Sequence, residues 1–157
     1  MTAFYVLLIS AGLTVVDQLL KLLVYNTLRM SGVVPLIPGI FELRYTENTG
    51  GAFSIFSGQT FILSIITIAV IVVLIVILIK GAVTNKFALL SMALIIGGGI
   101  GNLIDRIFRG SVIDYLYFSL INFPIFNFAD ITLVCGEIIL AVYILFYHDK
   151  KKKIIVH

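Results

Sequence analysis

From Phe61 to Ile79 the chain carries no charge, and Ser64 and Thr67 are the only polar side chains in the run. A segment of that length and hydropathy fits the hydrocarbon of a bilayer as one helix, the form in which a spanning segment satisfies its own backbone. Three other apolar stretches have comparable length: 4–25, 87–107 and 130–147. The chain is 61% hydrophobic and 12% charged, whereas a soluble domain carries about 25% charged residues. Its solvent is therefore largely lipid. The expected fold is an all-α membrane protein, a single integral domain over residues 1–157 with spans at 4–25, 61–79, 87–107 and 130–147. The first stretch lacks a basic leader and a small-residue cleavage site and contains Asp17 and Lys21, so it reads as a retained span.

Between the first two spans, residues 26–60 are rich in Pro and Gly. Phe41–Thr46 alternates apolar and polar, the period of a half-buried strand. Asn48-Thr49-Gly50-Gly51 reads as a turn and Ala52–Phe56 as a second short strand. Two strands cannot cross hydrocarbon with open edges, so they form a small sheet on the membrane surface, between spans 1 and 2. Residues 108–129, broken by Gly110 and Pro124, form a second surface segment. Lys80, Lys86 and Lys150–Lys153 all fall on one side. The positive-inside rule makes that side cytoplasmic, with both termini, and puts both long segments outside.

The basic residues suggest no nucleic-acid partner, because four of the eleven sit in the Lys150–Lys153 run and no aromatic-interleaved basic patch exists. Cys135 lies in an apolar run and reads as a buried packing residue. His148 and His157 have no partner at ligand or triad spacing, so neither zinc nor Ser-His-Asp chemistry is supported.

Polarity concentrates in Gly97–Asp130, which holds three of the eight acidic residues: Asp105, Asp114 and Asp130. Carboxylates in so apolar a chain are costly unless paired or used. At about 1.5 Å per residue, Lys21 lies roughly 6 Å from the outer rim, Asn102 roughly 8 Å, and Asp17 and Glu137 roughly 12 Å. Asp17 and Lys21, four apart, share a helix face and can pair, either to ease insertion or to support a polar chamber. Asn102 and Arg106 have the same spacing, with Asp105 on an adjoining face, which suggests a structural network. Gly97, Gly98, Gly99 and Gly101 lie inside a span, where small residues allow close helix approach. Glu137 is left between pairing with Lys21 and staying protonated.

Asp114 and Asp130 flank one aromatic-rich loop at the same depth. Asp130 alone could simply cap a helix. Together, two carboxyls about 3 Å apart share one proton, so one can take a proton from water while the other donates to a scissile carbonyl. A proton-coupled transporter is the rival reading, although the inner half of the spans offers no polar path. A non-enzymatic assembly factor is the third.

Five blocks in order resemble the lipoprotein signal peptidases (signal peptidase II), bacterial membrane aspartyl peptidases. They are Asp17-Gln18 with Lys21, Asn48–Phe53, Gly101–Arg106, Val112-Ile113-Asp114-Tyr115 and Phe126–Asp130. The resemblance implies Asp114 and Asp130 as the catalytic pair. It implies that Asn48, Gly50, Asn102, Arg106 and Asn127 shape the pocket, with Asp17, Lys21 and Asp105 in support. The implied substrates are diacylglyceryl-modified prolipoproteins, cut just before the lipidated cysteine. No metal or organic cofactor is implied, and globomycin-type inhibition is. The expected setting is a monomer among the lipids of the bacterial cytoplasmic membrane, its active site near the outer leaflet.

Overall fold

The structure of the protein, a computed structural model, describes residues 3–51 and 58–148. Four helices are long and apolar enough to cross a membrane: α1 (Ala3–Ser31), α2 (Thr60–Ile79), α3 (Lys86–Arg109) and α4 (Phe128–Tyr143, continued by a π-helical turn at Ile144–His148). A three-stranded antiparallel sheet in the order β1-β2-β3 sits at one end of the helices. Its strands are β1 (Val33–Ile37), β2 (Phe41–Asn48) and β3 (Val112–Phe118).

The sheet is larger than the sequence pattern suggests. β3 comes from the loop between α3 and α4, so strands from two separate connections meet. It went unseen because VIDYLYF does not alternate: its first four residues are all buried. Pro35 argues against a strand in Val33–Ile37 and is tolerated there because β1 is an edge. The expected strand at Ala52–Phe56 lies outside the described residues. The first helix also runs six residues past Tyr25, through Ser31. Val24 and Leu28 continue its buried stripe and pack on Ile113 and Tyr115 of β3. Gly32, at φ +84, then ends the helix, its N–H donating to the Leu28 carbonyl at 3.2 Å.

α3 is the centre of the bundle. In its most apolar window 67% of residues are buried inside the protein, against 11–22% for the other three helices. α2 fully buries only Ile71 and Leu78, packs Leu74 and Ile77 partly against the core and exposes most of its remaining surface, as a lipid-facing helix does. Three consecutive glycines let α3 take three neighbours. A Cβ on Gly97 would lie 2.9 Å from the Ser10 carbonyl oxygen of α1. On Gly98 it would lie 2.3 Å from Thr132 Oγ1 and 2.5 Å from the Ala129 carbonyl oxygen of α4. On Gly99 it would meet Ile71 Cδ1 of α2 at 3.3 Å. Steps of about 100° per residue aim each glycine at a different helix. Ser10 and Thr14 then donate across the α1–α3 seam to the carbonyls of Ala93 (3.0 Å) and Gly97 (2.9 Å), the packing that small residues permit in membranes.

These contacts predict different costs. Gly98→Ala has a backbone oxygen in its way and must push α4 off α3, an overpacking cost of about 1–3 kcal/mol. Gly99→Ala meets only side-chain atoms, Ile71 Cδ1 at 3.3 Å and Ile71 Cγ1 and Thr67 Cγ2 at ordinary contact distance, and stays near wild type. Thermal melts of the purified variants in detergent check this; equal melting temperatures for the two would contradict the packing assignment.

Candidate active site

The sheet end of the bundle holds a buried polar network built in layers. At its base is Lys21, fully buried in α1. An ammonium has three protons to donate and no acceptor. Lys21 Nζ meets three oxygens: Asp17 Oδ2 at 2.8 Å, Asp105 Oδ2 at 3.0 Å and Asn102 Oδ1 at 2.9 Å. The two carboxylates share the Lys21 cation, Asp105 Oδ1 also meets Arg109 Nε at 3.5 Å, and both acids accept from backbone as well. Asp17 Oδ1 accepts the Ala129 N–H in the first turn of α4 (3.0 Å), and Asp105 Oδ2 accepts the Ile113 N–H of β3 (3.2 Å). One α1 carboxylate therefore ties down α4, and one α3 carboxylate ties down the sheet. Gly101 makes room for this, since a Cβ there would stand 2.6 Å from Asp17 Oδ2. Gln18 adds a bond to the Gly101 carbonyl at 3.0 Å.

The next layer is two asparagines. Asn102 Oδ1 accepts from Lys21 and also from Asn127 Nδ2 (3.1 Å), which turns its own amide nitrogen toward Asp130 Oδ1 at 2.8 Å. Asn127 is the N-cap of α4: its Oδ1 accepts the Asp130 N–H at 3.0 Å, while Asp130 Oδ2 accepts the Asn127 N–H at 3.0 Å. This is a reciprocal capping box. Asp130 is thus a capping-box residue and a site residue at once. The Asn127 amide also donates to Asp114 Oδ1 at 2.7 Å, so Asn127 bridges the two acids, backbone to one and side chain to the other. Asp114 Oδ2 takes a further bond from Asn48 Nδ2 at 2.8 Å, and Gly50 N–H orients that amide through Asn48 Oδ1 at 2.8 Å.

Asp114 and Asp130 open into one cavity of about 810 Å³, together with Asn48, Asn102, Arg106 and the aromatic loop Phe123–Phe126. Asp114 is 2% exposed. Burial, and then the neighbouring Asp130 charge, push its carboxyl up to about 7, while the bonds from Asn48 and Asn127 pull the other way. Arg106 Nε is buried with no hydrogen-bond partner. Among the described residues, no group of three His, Cys, Asp or Glu side chains comes together as a metal-ligand set.

The model of a known family, signal peptidase (SPase) II, matches residues 9–146. The chain belongs to the signal peptidase II family. The lipoprotein signal peptidase of Clostridium acetobutylicum is 39% identical to it over 93% of this chain and 96% of the relative. That of Nostoc sp. (strain PCC 7120) is 42% identical over 80% and 79%. A bacterial membrane enzyme solved in meso at 2.3 Å resolution superposes with a TM-score of 0.83 at 31% identity, covering 90% of this chain and 87% of that one. The chain is thus a multi-pass membrane protein of a peptidase family, and its relatives are named lipoprotein signal peptidases.

Of the ten site residues named in the sequence, Asp17, Lys21, Asn48, Gly50, Asn102, Asp105, Asp114, Asn127 and Asp130 are joined by these bonds, and Arg106 lines the cavity beside them. One open alternative closes and one expectation fails. Glu137 does not pair with Lys21, whose donors are all taken by the three oxygens above. Cys135 is exposed rather than buried and lines the cavity. An apolar stretch of sequence looks the same whether a side chain faces protein or lipid. Gln18 was part of a motif with no role assigned; its bonds into α3 give it one.

Proposed function

We propose that the protein is an aspartyl endopeptidase that removes signal peptides from diacylglyceryl-modified prolipoproteins, cutting just before the lipidated cysteine. One observation carries the reading: two acids from different elements, β3 and α4, meet in one cavity and are joined through Asn127. Sharing a proton, one carboxylate takes a proton from water as the water oxygen bonds to the scissile carbon and the other acid protonates the carbonyl oxygen. The C–N bond then breaks as the proton gained from water passes to the leaving amine. Arg106, in the same cavity, supplies positive charge against the developing oxyanion. Lys80 and Lys86 border the turn at the far end of the bundle from the sheet, which supports an outward-facing sheet, cytoplasmic termini and a site near the outer leaflet. A substrate anchored by two acyl chains would reach the cavity from that leaflet.

Incubation with a synthetic diacylglyceryl prolipoprotein peptide is expected to release a product beginning at the lipidated cysteine, read by mass spectrometry, with the unlipidated peptide left intact. Equal cutting of both peptides would refute the substrate assignment.

The raised Asp114 pKa adds a pH dependence with a definite sign. Its ordinary value is 3.8 and its folded value about 7, so the folded state holds this proton more tightly. The stabilisation is complete below about 4 and is lost as pH rises through about 7. The protonated member of the pair disappears over the same upper range. Turnover is therefore expected to decline above about pH 7; a rate that keeps climbing to pH 9 on folded protein would contradict the shared proton.

A further inference from the structure

The cavity continues past the two acids. Along α4 its wall includes Asp130, Ile131, Leu133, Val134, Cys135 and Glu137; Asp130, Leu133, Val134 and Glu137 fall at i, i+3, i+4 and i+7 on one helix face. Seven residues at about 1.5 Å each put Glu137 roughly 10 Å from Asp130, on the side away from the sheet. Its neighbours Val134 (52% exposed) and Ile138 (57%) mark this face as one turned to lipid. Glu137 has no hydrogen-bond or ion-pair partner among the described residues. A carboxyl at that depth is costly to insert, and nothing in the fold offsets the cost. Its one distinguishing surrounding is the cavity it shares with the acids.

We propose that Glu137 forms a subsite for the main chain of the substrate, hydrogen-bonding the bound membrane segment where that segment unwinds to reach the acids. The proposal rests on the peptidase reading of the cavity. A peptide bond inside a helix has its carbonyl and N–H already engaged, so the stretch entering the site must be extended. Unwinding it strips partners from the last carbonyls of the substrate helix and from the amides of the extended stretch, and in hydrocarbon such orphaned groups are strongly disfavoured. An extended chain covers about 3.3 Å per residue, so the roughly 10 Å from Asp130 to Glu137 spans about three residues. The substrate helix then ends about three residues before the cleaved bond, at the depth of Glu137. A carboxyl accepts from an amide and, when it carries a proton, donates to a carbonyl, so it matches either kind of freed group. Between the two carboxyls the wall offers Ile131, Leu133, Val134 and the weak donor Cys135, so among the described residues Glu137 is the one strong hydrogen-bonding side chain beyond Asp130 on this helix wall.

The test measures kcat and KM on a lipidated prolipoprotein peptide for the wild type, Glu137→Leu and Glu137→Gln, with melting temperatures of all three. Glu137→Leu is expected to lower kcat/KM about tenfold while melting at the wild-type temperature or above, because a carboxyl has been removed from an apolar surface. Glu137→Gln keeps a donor and an acceptor and is expected to recover most of the loss. Wild-type kcat/KM in the Leu variant would overturn the proposal. So would equal losses in both variants, or a loss that tracks a lowered melting temperature. Failure of the peptidase reading itself would appear separately, as undiminished cutting by Asp114→Asn with Glu137 intact.

Discussion

Asp114→Asn and Asp130→Asn are each expected to cut turnover on a lipidated prolipoprotein by about a thousandfold or more, within the range that positioned acid–base groups contribute. Both oxygens of each acid accept a hydrogen bond from a fixed donor: Asn48 and Asn127 on Asp114, Asn102 and the Asn127 N–H on Asp130. An amide at either place cannot exchange the proton, and its NH2 must face one of those donors. That conflict costs about 1–3 kcal/mol for the group left unsatisfied, a modest loss beside the catalytic one. The helix seams lie elsewhere, so both variants should still insert, purify and melt cooperatively. Near-normal turnover by either folded variant would remove that residue from the proposed pair.

Lys21→Met is expected to be the most destabilising single change in the network. It leaves the Asp17 and Asp105 carboxylates and Asn102 Oδ1 facing an apolar side chain, all in residues no more than 3% exposed. Removing one partner from a buried ionic cluster typically costs about 3–5 kcal/mol, because the charges left behind keep their desolvation penalty. Activity should fall further than stability explains. Lys21 and Asn127 together fix which end of the Asn102 amide faces Asp130, and without the ammonium Asn102 Oδ1 keeps only the Asn127 donor. Adding Asp17→Asn and Asp105→Asn to Lys21→Met should restore part of the stability and not the activity. A melt of Lys21→Met within a degree of wild type would show that the cluster does not hold the helices together.

Much of this site could be read from the sequence because polar side chains are rare in it. When three of eight acids fall in one stretch of a chain this apolar, few arrangements satisfy them, and Asp17, Lys21, Asn102 and Asp105 had to find one another. The spans were legible for a similar reason: hydrocarbon demands length, and length is visible. What stayed hidden depends on partners distant in sequence. β3 shows no alternation because it is buried against α1 on one side and opens into the cavity on the other. The last turns of α1 look like loop until Ile113 and Tyr115 arrive to cover Val24 and Leu28. For Cys135 and Glu137, no local pattern separates a lipid-facing position from an interior one.

The origin of the two acids has a consequence for biogenesis. One is delivered by strand pairing after the third helix, the other by the first turn of the fourth. A nascent chain that has threaded only three helices into the bilayer holds half of the proposed pair, lacking the second carboxyl and the asparagine that bridges the two. On the proposed mechanism, cleavage therefore waits for the fourth helix, whose N-cap is Asn127 and whose first turn carries Asp130.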